Sequence, residues 1–146
     1  MRRLQLTDDP EITRELAVEV LAQFLGQPSV PLRIEFGGSI THGFGFSAWD
    51  KAQHCYLIRL KTDCCTWHQL AHEMAHCLND IEPGLTYDLQ TDPHDKIREI
   101  TDVDPGRGQR LKIEHVQSEL RADYCAAYIL TELRELAGSR GYDLCD

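Results

Sequence analysis

Thr66-Trp67-His68-Gln69-Leu70-Ala71-His72-Glu73-Met74-Ala75-His76-Cys77-Leu78 is the stretch around which the rest of this chain has to be arranged. Thr66 and Gln69 have the S/T-x-x-E/Q spacing of a capping box, which starts a helix at about Trp67. Leu70, Met74 and Leu78 recur every four residues and mark its apolar side. Pro83-Gly84 must end it.

Residues four apart on a helix share a face, one turn above the other. His72 and His76 can therefore aim two imidazoles at one ion, and neutral imidazole is a preferred zinc ligand. Glu73 projects along the edge of the same face. There it can act on water at the metal without ligating it, which is the physical content of H-E-x-x-H. Three fixed positions also occur by chance in metal-free helices. Two features raise this instance: the helix has its own start and stop signals, and a third ligand is available downstream.

That ligand is Glu119, in Ser118-Glu119-Leu120-Arg121-Ala122-Asp123. A catalytic zinc commonly keeps three protein ligands and an open position, and His2Glu is one such set. Asp123 lies four residues on and is placed to orient His72 through its other ring nitrogen. The bland alternative makes Glu119 and Asp123 surface acids beside Arg121. The small residues Ala122, Cys125, Ala126 and Ala127 instead suit close helix packing. His115, one turn before Glu119, is a candidate for stabilising a transition state, and Tyr124 and Tyr128 compete for that role. Each of the three is equally readable as packing. His68 is too far along the helix axis to share an ion with His76 and reads as a cleft-wall or surface residue.

Upstream, Asp9 can cap a helix, Pro10 suits its first turn and Gly26 its end. Ile12, Leu16, Val20 and Phe24 form its apolar stripe. Leu32 to Phe36 alternates as a half-buried strand, and Cys55 to Leu60 is a second strand. Ile40 to Trp49 is a hairpin or a loop. Downstream, 83 to about 109 holds Pro83, Pro93 and Pro105 and reads as an irregular insertion, a lid or a disordered segment. A long helix follows from about Arg110 to Leu136, ended by Gly138, with Ile113, Val116, Leu120, Ala127, Leu130 and Leu133 on its buried side. The expected architecture is one α+β domain over residues 1–146. Its small mixed or antiparallel sheet packs on the H-E-x-x-H helix, a long C-terminal helix and an N-terminal helix.

Composition narrows the setting. A formal net charge of -9 disfavours a broad nucleic-acid surface, which needs clustered Lys and Arg. No run approaches the roughly 20 apolar residues of a membrane helix, and Met1 to Asp9 lacks the apolar core of a signal peptide. A cytoplasmic protein is expected. Cys55, Cys64, Cys65, Cys77, Cys125 and Cys145 contain no C-x-x-C pair, so a thiolate zinc site is disfavoured and free thiols are expected.

Leu70-Ala71-His72-Glu73-Met74-Ala75-His76, followed by Glu119-Leu120-Arg121-Ala122-Asp123-Tyr124-Cys125-Ala126-Ala127, resembles the ImmA/IrrE family of small metallopeptidases. The resemblance spans about residues 55 to 130 and is specific in those two motifs. It implies His72, His76 and Glu119 as ligands of one zinc ion and Glu73 as the base. It also implies cleavage of a specific intracellular protein, often a DNA-binding repressor of the helix-turn-helix type. The family often has Gly at the position of Ala75, and Met-Pro after the final helix motif; both are missing here. Rival readings are a zinc hydrolase of a non-peptide amide and a non-cleaving, metal-dependent regulatory module of toxin–antitoxin or phage type. SprT-type proteases use a histidine as third ligand, which would have to be His94 or His115. The acidic charge and the Glu119/Asp123 pair disfavour that reading.

Overall fold

The structure is a computed structural model, and it describes residues 1–37, 45–61, 65–83 and 93–145. The elements in chain order are β1 (Arg2–Leu4), α1 (Pro10–Leu25), β2 (Leu32–Phe36), β3 (Gly45–Asp50), β4 (Cys55–Leu60), α2 (Trp67–Asn79), α3 (Pro93–Val103), α4 (Pro105–Ser139) and β5 (Tyr142–Leu144). The class is α+β, as expected.

β2, β4 and β3 form a mixed sheet with β4 in the middle, parallel to β2 and antiparallel to β3. β3 and β4 make a hairpin, so residues 45–50 of the stretch read as a hairpin or loop are strand. The remainder, 38–44, lies outside the described residues. A second, two-stranded parallel sheet joins β1 to β5 and brings the two ends of the chain together.

Side chains sort by register. Tyr56, Ile58 and Leu60 of β4 enter the main core with Leu16, Leu21, Trp67, Leu70, Met74 and Leu133. Gly45, Ser47 and Trp49 of β3 pair with these three β4 residues and share their face. The opposite face carries Arg33, Glu35, Asp50 and Arg59. Arg33 pairs with Glu35 and Asp50, Arg59 pairs with Glu35, and Arg59 also lies over the Phe46 ring at 5.0 Å. A charged lattice over one sheet face and a dry core under the other is the expected division for a sheet covered on one side.

α1 follows its signals. The Asp9 side chain accepts from the Ile12 amide, Pro10 opens the helix, and Gly26 closes it with φ 64°. Phe24, placed on the apolar stripe by periodicity, is exposed. α2 begins with the full capping box: Thr66 accepts from the Gln69 amide, and the Gln69 side chain accepts from the Thr66 amide, both at 3.2 Å. Its first residue is anchored as well, since the buried Trp67 indole donates to the Leu4 carbonyl at 3.1 Å. α2 ends at Asn79, before Pro83.

Two expectations about the C-terminal half are corrected. Residues 93–103 and 105–109 are helical, and only 84–92 of the supposed insertion lies outside the described residues. Pro93 and Pro105 open helices instead of breaking them, because the first helical position needs no N–H and proline's φ is already helical. Asp104 caps α4 by accepting from the Arg107 amide.

The inward face of α4 also differs. Ile113, Val116, Leu120 and Ala127 are exposed, while Ala122, Ala126, Ile129, Leu130, Leu133 and Ala137 are buried. The reason is distance. α2 and α4 form the most extensive helix contact, and alanines (Ala71, Ala75, Ala122 and Ala126) are fully buried on both helices. Larger side chains there would hold the helices apart. Among the described residues no helix is long and apolar enough to cross a membrane.

Candidate metal centre

α2 and α4 each bring a pair of polar groups, spaced one turn apart, to the seam between them. The His76 ring approaches Glu119 with Nε2 3.0 Å from Oε1, and His72 Nε2 lies 3.1 Å from Oε2. The two Nε2 atoms are 3.2 Å apart. Both Nδ1 atoms turn outward, His72 to Asp123 Oδ1 at 2.8 Å and His76 to Asp80 Oδ2 at 2.8 Å. A proton held at each Nδ1 by these carboxylates leaves the Nε2 lone pairs facing inward.

The inward donors stand close enough to share one ion. Ligands on zinc bonds of ~2.0–2.1 Å stand about 3.3–3.4 Å from one another. The two Nε2 atoms, 3.2 Å apart, fall just inside that value, and Glu119 meets them with different oxygens, Oε1 at His76 and Oε2 at His72. Two imidazole lone pairs and a carboxylate repel at such range unless a cation or protons lie between them. His72, Glu73 and His76 also place ligand atoms within 4.8 Å of one another, a group that could hold a metal ion.

Charge in the metal-free site follows from these contacts. Burial lowers the basicity of His76, but Glu119, Glu73 and Asp80 outweigh it and raise its pKa to about 9. His72 is raised as well, chiefly through its hydrogen bond to Glu119. Those two imidazoles hold the Glu119 carboxyl far below the usual range.

Glu73 stands beside the two imidazoles on the sheet side. It is 6% exposed, and one of its oxygens, Oε2, is buried without a hydrogen-bond partner. Burial pushes its pKa up, against the two histidines and a hydrogen bond with Ser47 of β3. Gly45 of β3 lies at van der Waals distance from the Glu73 side chain, and it is β4 that excludes a side chain at this position. A Cβ built there would lie 3.6 Å from Glu73 Cγ, 2.8 Å from Leu60 Cδ2 and 2.7 Å from the Arg59 carbonyl oxygen.

The structure thus gathers His72, Glu73, His76, Glu119 and Asp123 at one place. It does not bring the three candidate transition-state groups there. The His115 ring packs edge-on against His94 of α3 at 4.9 Å, and Tyr124 and Tyr128 are exposed against each other at 5.9 Å. Among the described residues none of the three hydrogen-bonds to the cluster. His68 is exposed near the start of α2.

Sequence reasoning missed Asp80, Ser118, Arg121 and Ser47. Asp80 had a signal, since it stands four residues after His76, the spacing already used for the ligands. Ser47 had none, because only the sheet register turns it toward α2. The imidazoles are mostly covered, with His72 18% and His76 12% exposed, whereas Glu119 and Asp123 of α4 are 43% and 62% exposed, so the site opens to solvent on the α4 side.

No protein family, no characterised protein and no solved structure matches this chain.

Proposed function

We propose that this chain is a zinc-dependent peptidase, with one ion held by His72, His76 and Glu119 and with Glu73 as its general base. The observation that carries the reading is the convergence of the two inward Nε2 atoms, 3.2 Å apart, on the Glu119 carboxylate while both outward nitrogens are engaged by other carboxylates. The two motifs that resemble the ImmA/IrrE family support the same assignment. A bound zinc would supply Lewis-acid chemistry, acidifying water toward a pKa of ~7 and polarising a carbonyl.

The chain's own residues supply the rest. Glu73 has a raised affinity for protons and a buried, unpartnered oxygen, the properties of a group that takes a proton from water and returns it to a leaving amine. A peptide substrate is favoured by the sheet. β3 is an edge strand lying against α2 beside Glu73, so an extended peptide could pair with it by strand addition. β4 is central and paired on both sides, so it has no free edge. By the family resemblance the substrate class is a specific intracellular protein, with a helix-turn-helix repressor the first to try.

Two variants test the assignment. Glu119→Ala should lose stoichiometric zinc. Glu73→Gln should keep zinc and lose cleavage of a repressor or casein substrate by at least a hundredfold, within the usual range for a general base. Zinc content in Glu119→Ala equal to that of the parent protein would overturn the ligand set. Undiminished hydrolysis by Glu73→Gln would remove the base.

A further inference from the structure

We infer that Asp80 is the positioning residue for His76, held in place by Ser118 and Arg121, and that this network sets the metal affinity of the site from outside the H-E-x-x-H motif. The inference rests on the reading of His72, His76 and Glu119 as ligands.

The geometry is closed around one carboxylate. Asp80 Oδ2 lies 2.8 Å from His76 Nδ1 and accepts from Ser118 Oγ at 2.9 Å, while Oδ1 accepts from Arg121 at 3.2 Å. Ser118 and Arg121 stand on either side of Glu119 in α4. One side chain of α2 therefore grips the ring of one ligand and both flanks of another. Rotating His76 or sliding α4 along α2 would break at least one of these bonds.

The position of Asp80 is not explained by helix capping. It is the C-cap of α2, with its amide donating to the His76 carbonyl and an ordinary negative φ of -120°. Helix C-termini favour glycine or asparagine just beyond and cations nearby, and the helix dipole opposes a carboxylate there. An aspartate at this point is accounted for by what its side chain binds: an imidazole N–H, a hydroxyl and a guanidinium.

The two imidazoles have unequal supports. The Asp123 side chain, behind His72, is 62% exposed, whereas the Asp80 side chain is 22% exposed and held by two α4 groups. The less exposed, doubly held carboxylate is the stiffer orienting group, so its loss is expected to weaken metal binding more than loss of Asp123. Carboxylates behind ligating histidines typically contribute about tenfold to a hundredfold in metal affinity.

The test is zinc affinity by chelator competition, together with the visible spectrum of the cobalt-substituted protein, for the parent, Asp80→Asn, Asp80→Ala, Ser118→Ala and Asp123→Ala. Asp80→Ala should weaken zinc by about tenfold to a hundredfold and shift the cobalt bands. Asp80→Asn should fall between it and the parent, and Ser118→Ala should show a smaller loss in the same direction. If Asp80→Ala does not fold, the Asn and Ser118 variants carry the same readouts. A merely structural cross-link would lower the melting temperature and leave affinity and cobalt spectrum at parental values, which would overturn the inference. A parent protein that takes up no stoichiometric zinc would instead overturn the metal reading on which it rests.

Discussion

Asp80, Glu119 and Asp123 surround two imidazoles whose ordinary pKa is near neutrality, and this makes the metal-free site a pH-dependent element. His76 has its pKa raised from 6.5 to about 9 in the fold. Its contribution to stability is fully present below about pH 6.5 and is lost as pH rises through about 9. Glu119 is depressed from 4.5, so its contribution is present above that value and is lost on acidification. The metal-free protein should therefore melt highest between roughly pH 4.5 and 6.5 and lose stability toward pH 9. Glu119→Gln should flatten that alkaline fall. A melting temperature constant from pH 6 to 9 would contradict the pairing. Zinc should behave oppositely. Ligation needs neutral imidazole, so binding releases protons and apparent affinity rises with pH over the same interval.

Among the elements, α3 and α4 meet at a contact that leaves no room for a side chain. A Cβ on Gly108 would lie 2.0 Å from Thr101 Oγ1 and 2.7 Å from Thr101 Cα. Gly108→Ala must therefore displace α3. Overpacking in a core costs about 1–3 kcal/mol, but α3 contains no buried residue and can move away. The expected outcome is a small change in global melting temperature with faster amide exchange confined to residues 93–103. A loss of global stability above about 3 kcal/mol would mean that α3 is part of the cooperative core. The same element shows where local patterns misled. Pro93 and Pro105 signal interruptions because proline breaks helices in their interior, yet both stand at a first position, where it does not. α1, α2, β2 and β4 were legible because a cap, a turn or a period of two or four lies within a few residues of each. The inward face of α4 was not legible. Ile113, Val116 and Leu120 carry the stronger apolar signal, but the approach of α2 selects Ala122 and Ala126.

Across the whole molecule, Trp67 connects the parts. Its ring is 1% exposed in the main core, and its indole reaches Leu4 at the start of the chain, where β1 pairs with β5 at the end. Trp67→Ala should cost about 3–5 kcal/mol, measured by denaturant unfolding, and should destabilise the terminal sheet and the metal helix together. A loss below about 1 kcal/mol would show that the core closes without this residue. Local side-chain chemistry was enough to name the histidines, Glu73, Glu119 and Asp123, because each depends on a spacing of one helical turn. The tertiary structure alone decided that β4 is interior and β3 faces Glu73, that His115 packs on His94, and that Ser118 and Arg121 of α4 brace Asp80. Those facts depend on how segments distant in sequence pack together, and a pattern within a single turn or strand carries no record of the surface it will meet.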